Sequence, residues 1–180
     1  MKNHLIKNLF SIALACLFLF GSCSSKVYNI TGVYDNKKTF ETSTSYDQVW
    51  DNVVDFFART NLTISTLDKT SGIIAVDKAF ISRSFVGVED KNGNINNPNA
   101  WIVLPYAKDL IAGKATCSVN VRIKKMENGN TSISINLGQI LCNNIYKNWL
   151  SVTGETYITT PTNRCASTGV FENMLYEIIK

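Results

Sequence analysis

Cys117-Ser-Val-Asn-Val-Arg-Ile-Lys124, Glu127-Asn-Gly-Asn130 and Ser132-Ile-Ser-Ile-Asn-Leu137 together decide the fold. Cys117, Val119, Val121 and Ile123 alternate with Ser118, Asn120, Arg122 and Lys124. On the far side Ile133, Ile135 and Leu137 alternate with Ser132, Ser134 and Asn136. A period of two is the mark of a half-buried strand, and Asn-Gly between two such runs is the strongest short hairpin signal. The pair therefore predicts an antiparallel hairpin with one apolar and one polar face. The apolar face needs a cover.

Two segments supply it. Ser45 with Gln48 forms a capping box, after which Tyr46, Val49, Trp50, Val53 and Phe57 recur at helical spacing. Val54 and Phe56 widen that stripe, Asp47, Asp51 and Asp55 fall opposite it, and Arg59 suits the C-terminal end of the helix dipole. Near the C-terminus Val170, Phe171, Met174, Leu175 and Ile178 form a second stripe, with Ser167 or Thr168 as N-cap. Between them Lys38–Thr42 reads as a short strand, Leu62–Leu67 alternates strictly, Asp68-Lys-Thr-Ser-Gly72 turns, and Ile73–Val76 returns. Strand character resumes through Phe80, Ile81, Phe85, Val86 and Val88. The order predicts an α+β fold, a two-layer sandwich in which an antiparallel sheet carries two helices on one face. A single domain spans 37–180, with insertions at about 89–115 and 142–166. Asp90-Lys-Asn-Gly-Asn94 departs from a calcium loop in its glycine position and in having Trp101 where a bidentate Glu belongs. It reads as a turn closing a hairpin between Phe85–Val88 and Ala100–Leu104.

The pattern Phe40-Glu-Thr-Ser-Thr-Ser-Tyr-Asp-Gln-Val-Trp50, followed by Leu62-Thr-Ile-Ser-Thr-Leu-Asp-Lys-Thr-Ser-Gly-Ile-Ile-Ala-Val76, resembles small bacterial envelope lipoproteins with BamC-like (helix-grip) domains. The resemblance covers about residues 38–77. It implies a helix-grip-like fold and a role beside outer-membrane assembly, and it carries over no catalytic residue. The two insertions depart from the pattern.

The N-terminus fits that company. Lys2 and Lys7 precede an apolar run from Leu9 to Phe20, then Gly21, Ser22 and Cys23. The run falls short of the roughly 20 apolar residues that a spanning helix needs and matches the core of an export signal. The junction resembles a lipobox, with Phe20 where leucine is usual. The expectation is a signal peptide at 1–22, a diacylglycerol thioether on Cys23 (with palmitate-type acyl chains), and a lipidated tether at 23–36. Ser24, Ser25 and Lys26 include no aspartate, which by resemblance to other lipoproteins favours the outer membrane, periplasmic face, over inner-membrane retention or the cell surface.

Composition narrows the chemistry. The 158 residues from Cys23 onward hold sixteen basic and fourteen acidic side chains, which gives no electrostatic reason to expect nucleic acid. His4, the only histidine, lies in the signal. Its loss excludes Ser-His-Asp and Cys-His catalysis and histidine-bound zinc. The Asp47/Asp51/Asp55 row reads as a solvated face rather than a cation site, and no catalytic residue, metal or cofactor is expected. The insertions carry the candidate ligand or partner contacts Trp101, Tyr106, Tyr146, Trp149 and Tyr157, set among many asparagines. Rings that stack and amides that hydrogen-bond suit sugar or peptide contacts; the alternative is that the rings fold back over a sheet edge. Cys117 belongs to the apolar strand face, whereas Cys142 and Cys165 bracket the second insertion and, in an oxidising compartment, would form a disulfide. The expected function is a non-catalytic binding or scaffolding module in envelope assembly or maintenance, held to the membrane by its lipid and meeting an envelope protein. A glycan- or small-ligand-binding lipoprotein is the alternative, and a hydrolase using two carboxylates comes third.

Because Cys23 stands alone at the cleavage junction, Cys23→Ala should abolish palmitate labelling and leave the precursor uncleaved. Equal labelling of the two chains would remove the anchor.

Overall fold

A computed structural model describes residues 29–34, 37–60, 62–148 and 156–180. In chain order the elements are β1 (Thr39–Thr42), α1 (Tyr46–Arg59), β2 (Thr66–Asp68), β3 (Ile73–Ile81), a 3-10 turn (Arg83–Phe85), β4 (Val86–Val88), β5 (Ile102–Leu104), β6 (Leu110–Lys125), β7 (Thr131–Asn148), β8 (Thr156–Thr162), β9 (Ala166–Ser167) and α2 (Val170–Ile179). The main sheet has the order β1-β7-β6-β3-β2, every pairing antiparallel, with β8 beside the far half of β7. This is the expected α+β sandwich.

The alternation at 117–137 builds the core directly. Cys117, Val119, Val121 and Ile123 are buried, as are Ile133, Ile135 and Leu137. Val49, Trp50, Val53 and Phe57 of α1 and Phe171, Leu175 and Ile179 of α2 share one cluster with them. Asn52 Nδ2 donates to the Ile179 carbonyl across the two helices at 3.1 Å. The expected cap is present, Gln48 N–H donating to Ser45 Oγ at 3.3 Å. The second helix starts one residue later than expected, on Gly169 at φ 85°, with Ser167 and Thr168 hydroxyls accepting from Gly169 and Val170 N–H. At the β2–β3 turn Gly72 has φ 71°, and a Cβ there would collide with the Ile123 carbonyl.

Three expectations change. First, β4 and β5 are not a hairpin: they pair in parallel, Val86 opposite Ile102 and Val88 opposite Leu104, in a small second sheet with β9. The Asn-Gly turn does reverse the chain, bridging Glu89 to Ile95, with the Asp90 carboxylate accepting from Asn92 N–H and Asn94 N–H. A second reversal follows at 97–100, where Ala100 N–H donates to the Asn97 carbonyl. Two reversals restore the original direction. All six residues of β4 and β5 are buried, as parallel pairs are.

Second, residues 142–166 are mainly sheet rather than an insertion beside it. β7 runs on to Asn148, and β8 returns along it with Cys142 opposite Thr162 and Tyr146 opposite Ile158. Likewise Leu110–Ala115, inside the first expected insertion, already belongs to β6. Register shifts between Ala112 and Ala115 and between Thr116 and Ser118, with Gln139 at φ 48°, break the period-two pattern while the ladder continues.

Third, part of the expected tether is docked. Glu89, only 2% exposed, accepts from Thr31 N–H at 2.9 Å, Gly32 N–H at 2.8 Å and the Tyr34 hydroxyl at 2.8 Å. Burial alone would push its carboxyl up, but these donors outweigh burial and hold it below the usual range. Burial and the same carboxylate push the Tyr34 phenol up. The signal region 1–22 and Cys23 lie outside the described residues.

Trp50 is nearly buried in the α1 stripe, and Asp51 is exposed beside it. Trp50→Ala should therefore lower unfolding stability by roughly 3–5 kcal/mol as a large core truncation. Asp51→Ala should change it by no more than about 0.5 kcal/mol. Urea titration of both variants checks this, and equal losses would contradict the packing.

Candidate functional site

Where α1 ends and the small sheet begins, the helical cover leaves a gap over the main sheet. Phe56, Thr60 and Leu62 close one side, Ala79 to Ser82 of the β3 end form another, and Phe85, Trp101 and Phe171 form the back. The gap is an apolar cleft of about 160 Å³. Its rings are held by packing on one another. Phe85 and Trp101 stack with centroids 4.3 Å apart, and Trp101 leans on Phe171 at 4.9 Å. Main-chain bonds fix Trp101 as well, its N–H donating to the Phe85 carbonyl at 2.9 Å and its carbonyl accepting from Thr168 N–H at 3.0 Å. None of the lining residues is titratable; Thr60 and Ser82 carry its hydroxyls. Such a surface holds an apolar group and has no acid, base or thiol to act on it.

The aromatics picked out from the sequence do not meet in one site. Trp101 lines the apolar cleft. Tyr106 is half-buried, with Lys91 Nζ 5.8 Å from its ring centre. Tyr146 lines a second, more polar cleft of about 180 Å³ with Pro105, Asn144, Thr160 and Arg164. There Asn144 Nδ2 donates to the Tyr146 hydroxyl at 3.4 Å, and Asn144 Oδ1 is buried with no partner among the described residues. Trp149 lies outside the described residues. Tyr157 stands opposite Lys147 on β8, and its side chain is outside them too. The neighbouring asparagines mostly serve the loop: Asn96 Oδ1 accepts from Val88 N–H at 2.9 Å and Asn97 Nδ2 donates to the Ser84 carbonyl at 2.8 Å. Phe85 and Phe171 escaped the sequence reading as site residues because each fits a core stripe equally well.

Cys142, Cys165 and Cys117 are free thiols in this structure. The thiols of Cys142 and Cys165 perturb one another's acidity. Donation to Cys165, together with burial, pushes the Cys142 thiol well up, and receiving that bond holds Cys165 down. Cys165 Sγ also lies 3.7 Å from the Ile140 and Thr162 carbonyls. Cys117 is buried and pushed up to about 12, chiefly by that burial. The β7–β8 ladder thus brings the two ends of 142–165 together, as the disulfide requires.

Among the described residues no group of three or more His, Cys, Asp or Glu side chains could hold a metal ion. Nor is any helix among them long and apolar enough to cross a membrane. Comparison with protein-family models finds no match to the chain, and neither does comparison with curated proteins.

Oxidation by a disulfide-bearing partner, the two thiols giving up two protons and two electrons, should join Cys142 to Cys165 and leave Cys117 free. Closing a loop of about 24 residues should add roughly 3 kcal/mol. Unreduced peptide mass spectrometry decides it: a Cys117 link, or no link after oxidation, rejects the pairing.

Proposed function

We propose that the chain is an outer-membrane-anchored envelope lipoprotein, on the periplasmic face, whose helix-grip-like domain is a non-catalytic binding or scaffolding module in envelope assembly or maintenance. The observation that carries this reading is the apolar cleft: preformed, rigidly backed by stacked rings and free of titratable side chains. Cavities of about 150 Å³ lined by apolar residues accept a benzene-sized group, so this one suits a single large apolar side chain of a partner protein. Seating it would contribute roughly 1.5–3 kcal/mol, about ten- to a hundredfold in affinity. Two helices against one sheet face support the helix-grip-like description. The docked segment 29–34 would hold the domain close to a lipid on Cys23.

A second reading, a glycan- or small-ligand-binding lipoprotein, rests on the polar cleft. There the unpartnered Asn144 Oδ1 beside Tyr146 and Arg164 could accept from a hydroxyl.

A photoreactive residue at exposed Thr60 should yield a protein adduct in living cells, and Ser82→Phe, which fills the cleft mouth from an exposed position, should cut the yield about tenfold. An adduct indifferent to Ser82→Phe would sink the cleft as binding site. Glycan binding lost in Tyr146→Ala would instead favour the second reading.

A further inference from the structure

We propose that the open edge of β3 from Asp77 to Ile81 and the apolar cleft beside it form one receptor for an extended segment of a partner protein. The segment would add as a strand outside β3 and seat one large apolar side chain between Phe56, Leu62 and Trp101. The inference rests on the cleft being a binding site and names what occupies it.

Among the described residues the edge is open because β2 is short. It pairs with β3 only at Ile73, Ile74 and Ala75, and the last bond on that side runs from Ser65 N–H to the Ala75 carbonyl at 2.8 Å. Beyond it, among the described residues, no strand pairs and no loop backbone bonds with Asp77–Ile81 on the outer side. On the inner side the strand is firmly laddered to β6, Ala79 opposite Cys117 and Ile81 opposite Ala115. An unpaired edge of this kind is a template for another strand.

Its charges sit at one end. Asp77 and Lys78 occupy the register shift between Val76 and Ala79, where a bulge and charge discourage indiscriminate pairing. Ala79-Phe80-Ile81-Ser82 carries none. Phe80 is 75% exposed there, with Lys78 Nζ 5.3 Å from its ring centre.

The cleft and the edge share residues: Ala79 to Ser82 line the one and belong to the other. This coincidence selects the occupant. A strand satisfies the edge N–H and C=O groups and delivers a side chain at the same point, which is the logic of recognition by strand addition. An acyl chain would fill the cleft but make no bond to those groups, which would stay with water. A sugar would find two hydroxyls and otherwise hydrocarbon.

The test uses protein purified with its native N-terminus, in lipid nanodiscs if it is acylated, with fluorotryptophan incorporated and the Trp101 resonance assigned through Trp101→Phe. The probes are indole, a blocked Thr-Val-Phe-Val-Thr peptide, and the same peptide N-methylated at alternate residues. Main-chain recognition tolerates sequence, so a generic strand-forming peptide is a fair probe. The peptide should shift Trp101 and slow amide exchange within Asp77–Ile81 by about tenfold, and N-methylation should remove the protection. Indole or the methylated peptide shifting Trp101 as well as the parent, with no β3 protection from any probe, would overturn strand addition and leave the cleft as an apolar site. Silence at Trp101 from every probe would overturn both.

Discussion

Every other element depends on the long β6–β7 ladder and on the side-chain alternation that gives it two unlike faces. Thirteen residue pairs join the two strands, from Leu110 opposite Tyr146 to Lys125 opposite Thr131. One end carries the aliphatic layer that both helices cover, and the other carries β8. The apolar face alone cannot be left to water. At roughly 25 cal/mol per Å² of apolar surface, exposing Val119, Val121, Ile123, Ile133 and Ile135 would cost more than a marginally stable domain has to lose. The demand for a cover fixes where α1 and α2 must lie, and α1 is held there by Trp50 and Phe57 rather than by its charges. The exposed Arg59–Asp55 and Lys69–Asp47 pairs are of the kind that contributes little.

The cover is incomplete by construction. α1 ends at Arg59, where Thr60 caps it through its hydroxyl on the Phe56 carbonyl, and α2 reaches the same region only with Phe171 at its first turn. The remaining sheet surface is roofed by β4, β5 and the Phe85–Trp101 stack, a different kind of structure that meets α2 at Phe171 and shares the cleft with Phe56 and Thr60 at the α1 end. A gap between two types of roof is where a packed domain keeps space without losing stability. The cleft is thus a consequence of how helix and small sheet divide the work. Its lining is apolar apart from the Thr60 and Ser82 hydroxyls, because the core residues Ala79, Ile81, Val119 and Phe171 form much of it, with exposed Phe80 beside them.

Legibility followed the strength of local pattern. The hairpin at 117–137, the α1 stripe with its Ser45 cap, and the Asp68–Gly72 turn were plain, because each is a short-range signal that tertiary packing reinforces. The parallel β4–β5 pair was not. Val86–Val88 and Ile102–Leu104 are three-residue apolar runs with no period, and a single Asn-Gly turn between them argues for a hairpin until the second reversal at 97–100 is seen. Past Leu137 the alternation fails at Gln139 and at the consecutive asparagines 143 and 144, so the last seven residues of an eighteen-residue strand, Cys142–Asn148, read as the start of an insertion. Of the site, Trp101 was visible as an unusual aromatic. Its partners Phe85 and Phe171 were hidden among core residues, and no sequence rule could bring them together.

Glu89 shows how the same loop serves position as well as architecture. Two backbone amides, a threonine hydroxyl and a phenol converge on its buried carboxylate, so the chain from Thr31 to Tyr34 is a strap rather than a spacer. Gly93 reinforces the strap: it adopts φ 81°, and a Cβ there would press on Gly32 N at 2.8 Å. On the proposed reading of Cys23 as the anchor, only residues 24–30 separate lipid from strap. At about 3.3–3.6 Å per residue fully extended, seven residues reach at most roughly 25 Å, less than the span of a domain this size. On that reading one carboxylate sets how far the strapped loop can stand from the lipid.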